Sequence, residues 1–209
     1  VNGNGLVQLF HVVGGSLHIS DLRLINGNAI DGGAVSVDGG VVTFTRTSFD
    51  SNSASRRGGA LFVDNAADVS WSGDTSFVAN TATWGGGAVH VRGSSLSWAG
   101  TGLTLFSRNS EDGGGVYVSD HSTLSFSGDT RFANNTADDG GALAIGPMGT
   151  VSYNGETRFS DNVAYSDGGA LYSWMKSDTD LAAIVMKGAT SFTNNSCRSY
   201  GGAIMLGGS

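Results

Sequence analysis

The stretch "RFANNTADDGGALAI", Arg131–Ile145, recurs along the chain. "SFVANTATWGGGAVHV" (Ser76–Val91) lies upstream of it and "RFSDNVAYSDGGALYS" (Arg158–Ser173) downstream. Each copy reads Phe, two residues, Asn, a short polar gap, then Gly-Gly and an alternating apolar pair. The Gly-Gly pair falls at 32, 58, 86, 113, 140, 168 and 201, at intervals of 26, 28, 27, 27, 28 and 33 residues. The phenylalanine falls at Phe49, Phe77, Phe106, Phe132, Phe159 and Phe192, and the asparagine at Asn52, Asn80, Asn109, Asn135, Asn162 and Asn195. A fixed period of this length marks a repeat architecture, in which one unit cannot bury its apolar face alone and stacked units can.

A third element lies between the glycines and the next Phe. It reads "VTF", "VSW", "LSW", "LSF" and "VSY", ending at Phe44, Trp71, Trp98, Phe126 and Tyr153. Apolar, small, aromatic is the period-two pattern of a half-buried strand. The segment after Gly-Gly alternates likewise: Val35/Val37, Leu61/Val63, Val89/Val91, Val116/Val118, Leu143/Ile145 and Ile204/Leu206 point one way. Each unit therefore holds three short strands. The predicted fold is all-β, a right-handed parallel β-helix of about seven coils of ~27 residues. At the ordinary strand spacing of ~4.8 Å it makes a rod on the order of 30 Å long. A propeller needs about 40 residues and four antiparallel strands per blade. Residues 1–31 read as a degenerate first coil, with Ile25 and Asn28 in the Phe and Asn places, and 32–209 as the repeated coils of one solenoid, a segment of a longer chain.

Like positions stack on like positions in such a fold. The six repeat phenylalanines are expected to form an interior aromatic column, each pair adding about 1 kcal/mol beyond area burial. The six asparagines are expected to close a corner, either as an amide ladder running from coil to coil or as residues that tolerate a left-handed turn. Gly-Gly supplies backbone angles that side chains forbid.

Composition agrees with strands and turns: 34 of 209 residues are glycine, against a usual ~7%, with one proline and 14% charged residues. A net charge of −7 argues against nucleic acid as a partner, which calls for a basic stripe. No apolar run approaches the ~20 residues of a membrane-spanning helix. Cys197 is the only cysteine, which excludes an internal disulfide; it is expected as a buried small apolar residue or paired with another chain.

The alternation of "GGAV", "GGAL" and "GGAI" with "FDSN", "FVAN", "FSRN", "FANN", "FSDN" and "FTNN" over residues 25–206 resembles the paired GGA(I/L/V) and FxxN repeats of chlamydial polymorphic outer membrane proteins. Similar repeats occur in extracellular proteins of algae and protists. The resemblance implies a surface-exposed β-helical passenger involved in adhesion and displayed by a C-terminal barrel. The chain departs from the pattern at "GGGV", Gly113–Val116.

Chemistry-bearing residues are sparse. Asp112, Asp139 and Asp167 each precede a Gly-Gly and would line up along one edge, as turn residues or as a calcium edge. Arg57, Gly85 and Tyr200 break that line, and the four histidines hold unrelated repeat positions. Phe62, His90, Tyr117, Tyr172 and Met205 are expected on the outer face of the strand after Gly-Gly, interrupted by Ala144, as a contact site or a face covered by a neighbouring segment. "WMKSDTD", from Trp174, is an insertion that should form a loop with Trp174 and Met175 exposed or folded back on the rod. "NNT" and "NNS" make Asn134 and Asn194 candidate N-glycosylation acceptors in a eukaryotic secretory setting. No catalytic residue and no cofactor is assigned. The expected function is an extracellular or cell-surface rod, scaffold or adhesin, with protein or glycan partners and lateral or end-to-end association. The competing class is a polysaccharide lyase or hydrolase, which needs carboxylates converging in a groove.

Overall fold

The computed structural model describes residues 1–110, 113–174 and 181–207. Among these residues every strand pairing is parallel, and successive coils stack in register as a β-solenoid. Eight strands form the sheet that follows Gly-Gly, from Phe10–Val13 to Ile204–Leu206. Seven form the sheet whose strands end on an aromatic residue, from Ser16–Ser20 to Ala183–Met186, and seven the Phe sheet, from Arg23–Ile25 to Thr190–Thr193. Short pairs, Asn28–Asp31 with Ser53–Arg57 and Thr136–Ala137 with Val163–Ala164, extend the stacking along the edge after each asparagine.

The interior is two columns of rings. Phe49, Phe77, Phe106, Phe132, Phe159 and Phe192 stack at centroid spacings of 4.6–4.9 Å with planes within 6°. Phe44, Trp71, Trp98, Phe126 and Tyr153 make the second column at 4.2–5.1 Å. The columns meet edge to face, as in Phe132–Tyr153 at 6.3 Å and 88°, so positive ring edges lie against negative faces. The Val, Leu and Ile residues of the first sheet fill the remaining side of the core.

Each of the four inner repeat asparagines, Asn80, Asn109, Asn135 and Asn162, makes four side-chain hydrogen bonds along the axis. Asn109 Nδ2 donates to Phe77 O and to Asn135 Oδ1, both at 3.0 Å. Its Oδ1 accepts from the Asn80 backbone N–H and from Asn80 Nδ2 at 3.0 and 3.1 Å. The same pattern runs from Asn52 through Asn80, Asn109, Asn135 and Asn162 to Asn195. The left-handed residue of this corner is the one before the ladder asparagine: Ser51, Ala79, Arg108, Asn134, Asp161 and Asn194 have φ of 52–56°. The first coil enters one residue earlier than the sequence reading placed it. Leu24 pairs with Phe49, and the Gly27 amide donates to Asn52 Oδ1 at 2.8 Å, so Leu24 and Gly27 hold the Phe and Asn places. Ile25 and Asn28 do not, because Ile25 is in register with Asp50.

The glycine pair has two separate jobs. Gly140 has φ of +61°, and Gly141 leaves no room for a Cβ, which would sit 2.3 Å from the Gly169 carbonyl of the next coil. In "GGGV" the third glycine packs where neighbouring coils carry alanine. A Cβ on Gly115 would meet the Ala142 carbonyl at 2.7 Å and the Phe132 ring at 3.3 Å.

Phe132→Ala empties a fully buried position in the middle of the column and is expected to lower stability by about 3–5 kcal/mol. Denaturant unfolding of the variant beside the unmodified chain measures this; a loss below about 1 kcal/mol would place Phe132 outside a tightly packed core.

Candidate binding cleft

The outward row of the first sheet is arranged as a covered groove. Phe62 and His90 are only 6% and 5% exposed, and Tyr117, Tyr172 and Met205 are half-buried. Of the row read as a contact site or a covered face, Phe62 and His90 are thus covered and Tyr117, Tyr172 and Met205 stay partly open. Arg57, at the preceding corner, swings its guanidinium over the Phe62 ring at 4.3 Å while forming a two-pronged pair with Asp31 at 2.9 and 3.0 Å. Below it the His90 ring stacks on Tyr117 at 4.9 Å and 17°. Ala144 occupies the next position and is buried.

Beside this row lies a cleft of about 470 Å³. Its floor is the outer face of the sheet: His90, Arg92, Tyr117 and Ser119. Turn residues Asp120, His121, Pro147 and Met148 form one flank, and Trp174 and Arg57 also line it. Asp120, His121 and Met148 have φ of 53°, 63° and 59°, the left-handed geometry of tight turns. Trp174 is half-buried, and its amide donates to the Ile145 carbonyl of the preceding coil at 3.1 Å. It is held against the rod rather than carried on a loop tip; Met175 lies outside the described residues.

The charges of the cleft are tied down. Arg92 Nε donates to Asp64 Oδ1 at 3.1 Å, and its Nη2 pairs with Asp64 Oδ2. Burial opposes ionisation of Asp64, but the Arg92 hydrogen bond and the Asn65 amide hold its carboxyl below the usual range. Burial, with the nearby Arg57 charge, pushes the His90 imidazole down to about 3, against a weaker opposing contribution from the Gly85 carbonyl. His90 is thus a neutral ring at ordinary pH. Tyr172 is raised by burial and by Asp139 and Asp167.

The carboxylates read as a possible cation edge serve the backbone. Asp139 Oδ1 accepts the Asp167 amide at 3.0 Å, and Asp167 Oδ1 accepts the Tyr200 amide at 2.8 Å. Asp112 lies outside the described residues. Among the described residues no three His, Cys, Asp or Glu side chains are grouped to hold a metal ion. Cys197 is half-exposed, with its Sγ against the Tyr200 carbonyl at 3.2 Å. Asn134 and Asn194 are exposed on the left-handed corner, and Asn194 Nδ2 donates to Asp161 at 3.2 Å.

Sequence reasoning missed the most exposed aromatics. Trp84, Tyr165 and Tyr200, at 62%, 51% and 68% exposure, lie in the segments between the ladder asparagine and Gly-Gly. Arg56 sits 5.3 Å over Trp84 and Arg198 5.2 Å over Tyr165. These segments carry no strand alternation; the only signal for them is an aromatic residue in a gap otherwise filled mostly by small, polar and charged residues.

Three segments of the chain, residues 46–64, 156–173 and 189–206, match the Chlamydia polymorphic membrane protein repeat. Each spans one FxxN corner together with the Gly-Gly pair and the strand that follows it. Over these segments the chain is similar to that repeat, and the matched segments are stacked in the parallel β-solenoid. No curated protein and no solved structure matches the chain. No helix among the described residues is long and apolar enough to cross a membrane.

The neutral state of His90 makes stability depend on pH. Its folded value lies below the ordinary ~6.5, so the unfolded chain takes up a proton first as pH falls, and stability present above that value drains away between about pH 6.5 and 3. The expected slope approaches about 1.4 kcal/mol per pH unit in the middle of this window. His90→Phe, which cannot take a proton, should flatten the slope between about pH 6.5 and 4.5, above the range where carboxylates titrate. Unfolding midpoints at a series of pH values report it; identical slopes in both proteins would show that His90 is solvated in the folded state.

Proposed function

We propose that this chain is a non-catalytic rod, displayed at a cell surface or outside the cell, that works as a scaffold or adhesin passenger. The observation that carries this reading is the coil-to-coil continuity of the ring columns and the asparagine ladder. Interior groups bond to the next coil, which gives a stiff support, and residue variety is left to the outer faces and edges. The matched repeat comes from a family of membrane proteins by name, which supports surface placement. The cleft and the Trp84, Tyr165 and Tyr200 edge supply exposed aromatic groups with arginines over two of them, the residue types most often found as contact anchors. In a eukaryotic secretory setting Asn134 and Asn194 would add glycans along one corner of the rod. Residues 1–31 serve in this reading as the leading coil of the same solenoid.

The catalytic alternative calls for two carboxylates facing one another across a groove. The cleft lining brings Asp120, while Asp139 and Asp167 bond to backbone amides on another edge.

Surface display is tested by brief protease treatment of intact cells that make the parent protein. An antibody raised against this chain should lose its signal without lysis. Signal that persists until the cells are broken would contradict the reading.

A further inference from the structure

We propose that the cleft beside His90 and Tyr117 binds a single strand of a neutral polysaccharide lying along the rod axis. The inference rests on the reading of the rod as a binding rather than a catalytic element, and it adds to that reading a site and a ligand class.

The shape comes first. The lining residues belong to five successive repeats, from Arg57 beside the Gly-Gly at 58 to Trp174 after the Gly-Gly at 168. At ~4.8 Å per coil those repeats span about 19 Å. A cleft of about 470 Å³ lined from successive coils runs across the strands and so along the rod, the direction in which an extended chain would lie.

The floor then separates glycan from peptide. A peptide strand binds a β-structure most readily at a sheet edge, where unpaired backbone groups give it hydrogen bonds. Here the floor is a sheet face, and its strands already pair on both sides: Val89–Arg92 with Leu61–Asp64 and with Val116–Ser119. Recognition falls to side chains. The side chains present are ring groups, His90, Tyr117 and Trp174, beside fixed polar arms. A pyranose fits that pairing, since one face carries apolar C–H groups that lie against a ring and its rim carries hydroxyls. Apolar lining with a few placed polar groups is the general form of a small-ligand site.

Charge separates neutral from acidic glycans. Asp31 is shared by Arg57 and, at 3.8 Å, by Arg56; Arg92 is paired with Asp64; and the Asp120 carboxylate on the flank balances the remaining charge. Held in two-pronged pairs, the guanidiniums keep a fixed geometry and offer their outer N–H groups to hydroxyl oxygens. With Asp120 present the groove has no surplus of positive charge to attract a uronate or sulfate. The neutral imidazole of His90 adds none.

Isothermal titration of the chain with cello-, xylo-, manno- and malto-hexaose, beside oligogalacturonate and a polyproline peptide, tests the proposal. At least one neutral hexasaccharide should bind, and Trp174→Ala should weaken it by about tenfold or more, in the manner of an aromatic anchor. Trp174→Phe should restore most of the affinity, because a ring face remains. Tyr117→Phe, which retains the ring and the fold, gives a second reading through loss of its hydroxyl. Ser152→Ala, on another sheet, should change nothing. Tighter binding of oligogalacturonate or of polyproline, binding unaffected by Trp174→Ala, or no binding by any neutral hexasaccharide would overturn the assignment. Chromatography of the titrated sugar separates the two readings. Shortened products would sink the non-catalytic rod, whereas absence of binding removes only this site.

Discussion

Everything in this molecule hangs on a corner where one side-chain amide bonds to the coils on both sides. The geometry of Asn109 shows what a place with ladder bonds on both sides demands. A carboxylate lacks the two donors, a hydroxyl lacks the reach, and a glutamine would add a methylene to a buried position. Because each Oδ1 also takes the backbone N–H of the preceding coil's asparagine, the ladder sets the register of the chain and not merely that of the side chains. The Phe column three residues earlier then falls into alignment, with planes within 6°. Stacked rings offset along the axis and edge-on contacts to the second column complete a core with no helix among the described residues.

A core built by repetition leaves function to the positions that do not repeat. The row Phe62, His90, Tyr117, Ala144, Tyr172 keeps one place on the sheet and changes chemistry at each coil. Arg57 and Arg92 are anchored by aspartates one coil away, so the groove beside that row is shaped by inter-coil ion pairs. Exposed pairs such as Arg46–Asp21 add little to stability, about 0–1 kcal/mol. The partly buried Arg57–Asp31 pair, with side chains 15% and 18% exposed, matters more for where it holds the guanidinium.

Much of this was legible in the sequence. Period, strand number and the Phe and Asn columns follow from spacing alone, since a stacked fold turns a sequence repeat directly into contacts. The first coil was misplaced by one residue because Leu24 and Gly27 carry neither the aromatic nor the amide that marks the corner elsewhere. Burial of Phe62 and His90 was illegible for a different reason. Alternation tells which side of a sheet a residue faces, but not that Arg57 from the neighbouring corner and a rising turn at Asp120–His121 enclose that side. The partners of Asp139 and Asp167 are backbone amides one coil on, and sequence patterns of side chains carry no direct trace of such bonds.

The central claim is that the asparagine ladder fixes coil register, and denaturant unfolding of Asn109→Ala tests it most directly. The substitution removes the partners of the Asn80 amide and of the Phe77 carbonyl, and one of two partners of Asn80 Nδ2, which keeps the Phe49 carbonyl, all in the buried corner. At about 1–3 kcal/mol for each buried group left unpaired, the account predicts a loss of at least about 2 kcal/mol. A loss within about 1 kcal/mol would show that the ring columns align the coils by themselves and that the ladder merely follows them.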